Sequence, residues 1–337
     1  MDPALVSSSP EALSQDGSAF LTIVVTAFNN EDTIVKCIET LQKQTYQSKT
    51  LTVVADEASS DKTLEVLSQS GALERVKLIK CKGVGRSEAR NIGWKDTRAD
   101  VVMFADGDDV YDPEYARRAM DLMSKDQAFG GVCLGGAPLM EGDGVLMRYQ
   151  DSFGSTDERR KSTINEPDWA FVYRREALAK VGGFDISLSQ AEDRDLCSRV
   201  KSEGYHIGYI GGVNWFHRKP GTMKEFLGKE FRAGRSRVVY EKKRDEYLSI
   251  AAAVAPVAFL ALMIPISVVS PKWGVGLFIL GLFGYLALAS AKRVKRTSAS
   301  DIIPFAFISL AGKLAEALGS TEGLMRFSPR NNMSAKQ

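Results

Sequence analysis

Residues 101–109 read VVMFADGDD: five apolar residues, two of them β-branched, run straight into three carboxylates within four positions. An apolar run of this length with no polar face is the mark of a strand buried on both sides, and its abrupt polar end places the carboxylates where the strand leaves the sheet. The same sentence is written three times earlier in the chain. FLTIVVTA (20–27) runs into TAFNNED (26–32), LTVVA (51–55) into DEASSDKT (56–63), and VKLI (76–79) into CKGVGRSEARN (81–91). Helical spacing fills the gaps: Ile34, Ile38 and Leu41 recur behind Asn30, expected as an N-cap, and Ser87 is expected to cap a segment carrying Ala89 and Ile92. Strand and helix in alternation predict an α/β fold, a doubly wound and mostly parallel sheet, with ligands bound at the carboxyl ends of its strands.

The four loops at those ends supply acceptors, glycines, arginines and a carboxylate cluster. Arg86 and Arg90 stand one helical turn apart, a spacing that lets both reach a diphosphate near a helix N-terminus. Asp106, Asp108 and Asp109 repel one another unless a cation lies among them, and hard divalent ions such as Mg2+ or Mn2+ take such oxygen ligands together with substrate phosphates. Acidic caps and turns offer a plainer account of the aspartates, and a solvated surface charge a plainer account of each arginine.

With these loops in place, the chain resembles the family 2 glycosyltransferases of the GT-A fold. The residues that carry the likeness are VVTAFNNEDTIVKCIETLQKQTY (24–46), VVADEASSDKTLEVL (53–67), GRSEARNIGW (85–94), VVMFADGDD, FVYRREALAKVGGFD (171–185) and AEDRDLCSRVKSEGY (191–205). The resemblance implies a nucleotide-sugar donor, with Thr26, Phe28 and Asp56 on the base and ribose, Asp106 on ribose or metal, and Asp108 as the principal metal ligand. It implies further that Asp193, beside Glu192 at the start of a helix, is the base that takes a proton from the acceptor hydroxyl as that oxygen attacks the anomeric carbon. His217 matches a place where some relatives supply another metal ligand, and Trp169 one where a sugar ring can stack. Phe28 stands where tyrosine is common and DEAS replaces the more usual DDGS.

Composition bounds the rest. Residues 217–244 hold ten Lys or Arg against three Glu, and 291–296 hold four more bases, while the whole chain of 337 residues carries a formal charge of only +2. A mildly acidic body joined to a basic region argues against a nucleic-acid binder. Four cysteines without a CxxC pair indicate no disulfide framework, and residues 1–19 show no signal-peptide pattern and read as a flexible leader. The stretches 248–269 and 273–290 contain no charge except Lys272 between them, and each is long enough to cross a bilayer core. Bases outside both ends orient such a transmembrane hairpin with its catalytic domain on the cytoplasmic side.

The expected organisation is therefore a leader (1–19), a GT-A catalytic domain (20–217), a basic amphipathic interfacial linker (218–247), two transmembrane helices (248–269 and 273–290), and a basic loop, interfacial helix and tail (291–337). In the linker, Phe226, Leu227, Phe231 and Val238 alternate with bases as on a helix lying in anionic headgroups, and Arg232 and Arg235 are candidates to hold a lipid phosphate. FRAGRSR without a tryptophan departs from processive polysaccharide synthases and looks closer to succinoglycan-type transferases, which add one sugar to a lipid-linked acceptor. Two other readings fit the residues less fully: a polyprenyl-phosphate glycosyltransferase, whose acceptor needs no base, and a non-catalytic subunit that binds nucleotide sugar.

Overall fold

The structure is a computed structural model and describes residues 20–139, 144–152, 167, 169–188, 190–212, 215–243, 251, 254 and 299–326. Apart from residues 251 and 254, the two uncharged stretches expected to form the transmembrane hairpin lie outside the described residues. The chain divides into two compact units, residues 1–136, 165–186 and 196–216 in the first and 137–164, 187–195 and 217–337 in the second.

The first unit is built on a seven-stranded sheet. Its strands are β1 (Leu21–Ala27), β2 (Lys49–Asp56), β3 (Val76–Cys81), β4 (Val101–Asp106), β6 (Phe129–Leu134), β8 (Val172–Arg174) and β9 (His206–Ile210), in the order β3-β2-β1-β4-β8-β6-β9. β3, β2, β1 and β4 are mutually parallel, and β8 runs antiparallel between β4 and β6. Side chains alternate across the pleat. Ile23, Val25, Val53 and Met103 join one core with α1 (Ile34–Gln42), α2 (Thr63–Gln69) and α4 (Tyr115–Lys125). Val24, Val54, Val102 and Phe104 join the other with α3 (Arg86–Lys95), α6 (Arg175–Val181) and the body of α7 (Glu192–Ser202). Both faces of the parallel strands are thus covered, which is why their sequences read as unbroken apolar runs.

Two expected caps are displaced. α1 starts at Ile34 with Thr33 before it, because the Asn30 side chain turns back to accept from the Phe28 amide at 2.9 Å. α3 starts at Arg86 behind Gly85, so Ser87 is buried inside the first turn instead of capping it.

The second unit holds β7 (Ala137–Leu139), α5 (Val145–Asp151), α8 (Met223–Lys243) and α9 (Ile302–Arg326). The apolar face of α8 was expected to lie open to lipid, and here the structure differs. Phe226 and Val238 are buried, Phe226 in a cluster with Tyr149, Phe305 and Ile308. The helix that covers them lies sixty residues further along the chain, which the local pattern of α8 cannot announce. Among the described residues, Ile303–Met325 is the one helix long and apolar enough, by length and composition alone, to cross a membrane.

Candidate functional site

The loops after β1 and β2 are bound to each other through their backbones. The Asn30 amide donates to Thr63 Oγ1 at 2.7 Å, the Glu31 amide to Asp61 at 3.0 Å, and the Ser60 and Lys62 amides return bonds to Asn29 and Glu31, each at 2.8 Å. Burial acts to raise the Asp61 pKa, but the Thr63 hydroxyl and the surrounding backbone amides outweigh it and hold the carboxyl below its ordinary value. Asn29, at φ 53°, is held in the left-handed region by these contacts. Beside it Phe28 presents its ring outward, 53% exposed, as a base-stacking platform would require.

Asp56 ties the second loop to the third. Its buried Oδ1 accepts from the amides of Ala58 at 2.9 Å and Gly83 at 2.7 Å. One oxygen of this carboxylate thus ties the two loops together.

Arg86 and Arg90 part company in the structure. Arg86 is exposed at the start of α3, whereas Arg90 is buried, with its guanidinium 2.7 Å from Asp106 Oδ1 and over the Phe184 ring at 5.2 Å. The cause is the pleat: Asp106 ends β4 on the same face as Phe104, the face that α3 covers. Thr26 Oγ1 also donates to Asp106 Oδ1, at 3.4 Å. Helical spacing alone suggested two equivalent arginines; only Arg86 stands in solvent.

Asp108 points elsewhere. Asp108, Asp109 and His217 each offer a ligand atom, and these atoms all lie within 4.8 Å of one another. Asp109 opens the short strand β5 (Asp109–Tyr111), whose neighbour β10 (Trp215–Arg218) carries His217. Two carboxylates and an imidazole fit a divalent cation. Of the three carboxylates read as a cation site, Asp108 and Asp109 stand with His217, while Asp106, assigned as a ligand together with Asp108 and His217, is engaged by Arg90. Asp109 is buried and accepts from the Tyr111 hydroxyl at 3.1 Å. The third aspartate of DGDD was its only visible signal.

Gly107 makes this bend possible. Its amide donates to Thr26 O at 3.1 Å, and a Cβ there would meet Asn30 Oδ1 at 2.9 Å and Thr26 O at 3.0 Å. Beneath it the Cys37 thiol donates to Asp106 O at 3.3 Å, and burial followed by the charges of Asp109, Asp108 and Asp106 pushes this thiol well above its ordinary pKa.

Trp169 is half-buried in an aromatic trio, 5.4 Å from Phe171 and 6.5 Å from Trp215 between ring centroids. In the second unit, Glu192 is buried and Asp193 half-buried in the first turn of α7, behind Ala191, whose φ of 61° is strained for a residue with a side chain. Of the two bases expected to meet lipid phosphate, Arg232 is exposed, while Arg235 lies 3.9 Å from Glu322 on α9.

Residues 22–182 match the model of Glycosyl transferase family 2. The chain is 27% identical over 230 residues to Glycosyltransferase AglE of Haloferax volcanii, covering 65% of this chain and 73% of that protein. It is 24% identical to Probable glycosyltransferase YdaM of Bacillus subtilis over 66% of this chain, spanning 60% of that relative's length. Among solved structures, Mannosyltransferase PcManGT from Pyrobaculum calidifontis, in complex with GDP-Man and Mn2+, superposes with a TM-score of 0.61 at 15% identity, covering 90% of this chain and 87% of that one. The shared fold is GT-A.

Proposed function

We propose that this chain, a glycosyltransferase with a family 2 domain at residues 22–182, transfers a single sugar, with inversion, from a UDP-linked donor to a lipid-linked acceptor at the cytoplasmic face of a membrane. The observation that carries the donor half is the cluster of Asp108, Asp109 and His217 beside the strand-end loops. Phe28 stacks on the base, Asp56 Oδ2 accepts from it, and Arg86 meets the diphosphate from the N-terminus of α3. A structure of the same fold was solved with a nucleotide sugar and Mn2+, which supports the class of donor and cofactor. A divalent ion, Mg2+ or Mn2+, held by Asp108, Asp109 and His217 would offset the charge that develops on the departing diphosphate. Arg90 holds Asp106 in place.

Asp193 takes the proton of the acceptor hydroxyl as its oxygen bonds to the anomeric carbon and the bond from that carbon to the diphosphate oxygen breaks. Trp169 and its aromatic neighbours form a flat wall for the acceptor sugar. The uncharged stretches 248–269 and 273–290 anchor the enzyme beside a lipid-borne substrate. Lys and Arg outside both stretches orient it.

The test is transfer of labelled sugar to a membrane lipid extract by the purified, detergent-solubilised chain. Asp193→Asn is expected to bind donor normally and to lose about 10²- to 10⁴-fold in transfer. Transfer at the parent rate would contradict a hydroxyl acceptor activated by Asp193 and point to an acceptor already ionised, such as a lipid phosphate.

A further inference from the structure

Before its terminal Arg326, the charged residues of α9 are Lys313, Glu316 and Glu322, and each carboxylate is engaged by a base. Glu316 accepts from Arg237 of α8 at 3.0 Å and pairs with Lys313, and Arg235 of α8 faces Glu322. The helices meet backbone to backbone. A Cβ at Gly234 would fall 1.8 Å from Glu316 O and one at Gly319 1.9 Å from Phe231 O, and Ser320 donates to Gly234 O at 3.1 Å. Phe226 lies against Gly312 and Arg235 against Gly323, so the two helices run in the same direction.

The opposite side of α9 carries no charge and is apolar but for Thr321. Ile303, Phe307, Leu310, Leu314, Leu318 and Met325 recur at spacings of three, four and seven, which places them on one stripe about 33 Å long. Ile303 is 67% exposed, Phe307 54%, Leu318 52% and Met325 63%. A helix able by composition to cross a membrane is here prevented from doing so by its neighbour, since α8, with seven Lys or Arg and three Glu, is packed along it. Burying α8 in hydrocarbon would require desolvating that whole set of charges.

We propose that the exposed stripe of α9 lies in the headgroup and acyl boundary of an anionic bilayer, with the helix parallel to the membrane plane. Three features fit such a bilayer. The stripe is uncharged and interrupted only by Thr321. Lys224 and Arg232 are exposed on the companion helix, and four bases at 292–296 immediately precede α9, all complementary to anionic headgroups. The sequence joining α8 to α9 contains the two uncharged, bilayer-length stretches, so both helices are tethered at a membrane if those stretches span it. The inference rests on that membrane reading and deepens it: the second unit is held against the surface along its length, not hung from it.

The experiment uses the full chain in nanodiscs containing phosphatidylglycerol, with Cys81→Ser as background and nitroxide labels at Phe307→Cys and Leu318→Cys, against Lys313→Cys off the stripe. Collision rates with oxygen and with a water-soluble nickel chelate are read by power saturation. Labels at 307 and 318 are expected to show several-fold lower nickel accessibility than the label at 313, with higher oxygen accessibility. Nickel access at 307 equal to that at 313 would overturn the proposal in favour of a water-facing helix. Shielding from both reagents would overturn it in favour of a protein contact, a second copy of this chain included. Vesicle flotation of the labelled proteins separates the failures: a chain that does not float removes the membrane reading itself, whereas one that floats with an accessible stripe removes only this inference. The Ile303→Ser, Leu318→Ser double variant, checked for retained helix by circular dichroism, is expected to raise nickel access at 307.

Discussion

In the loops after β1 to β4 an apolar sheet ends in polar groups that face outward. In the pair formed by α8 and α9, ion pairs and an apolar cluster lie between the helices, and a second set of apolar residues, Ile303, Phe307, Leu318 and Met325, faces outward. The first arrangement suits a ligand that is charged and arrives from water. The second suits a surrounding that is apolar on one side, because exposed leucines cost little there and unpaired charges cost much. Backbone packing is tight in both, at Gly107 in one and at Gly234 and Gly319 in the other, so each region holds its polar groups at fixed positions.

The sharpest way to break this contrast is to remove a buried charge from the first region. Arg90→Met leaves Asp106 without its partner on the covered face of the sheet and is expected to cost about 3–5 kcal/mol in denaturant unfolding, with Arg90→Lys recovering part of it. Next comes Gly107→Val. Displacing the loop by a few tenths of an ångström moves Asp108 relative to its neighbours, and kcat/KM for the donor is expected to fall by about 10²-fold with a smaller change in Tm.

The second region answers to Gly319→Ala. The added methyl separates the helices, at an expected cost of about 1–3 kcal/mol, read as faster amide exchange across 223–243 and 302–326 and unchanged exchange in β1 to β4. The smallest effect belongs to Asp61→Asn, about 1 kcal/mol at neutral pH. Because folding lowers the Asp61 pKa, its contribution is full above about pH 4 and disappears as pH falls through the folded value. Melting curves of the parent and the variant should therefore converge in acid.

Much of the fold was legible because a parallel strand buried on both faces writes itself as an uninterrupted apolar run. Val24 and Val25 face opposite cores, yet both had to be apolar. The loops were legible for the same reason, since polarity returns where each strand leaves the sheet. What the sequence could not assign was the direction of individual side chains. Asp106 and Asp108 look alike in DGDD, but one faces Arg90 and the other the ligand cluster, a difference set by pleat and bend. His217 was indicated by family resemblance and not by spacing, because more than a hundred residues separate it from Asp108. The apolar stripe of α8 was visible, but a hydrophobic pattern names no partner, and lipid was inferred where α9 stands.

If a nucleotide sugar and a divalent ion meet at the strand-end loops, donor hydrolysis reads it out directly. Purified, detergent-solubilised chain is incubated with UDP- and GDP-sugars, with Mn2+, Mg2+ or chelator, beside Asp108→Ala. Slow nucleotide release from one donor, abolished by chelator and by Asp108→Ala, is the predicted result. Release that persists through both would contradict the account.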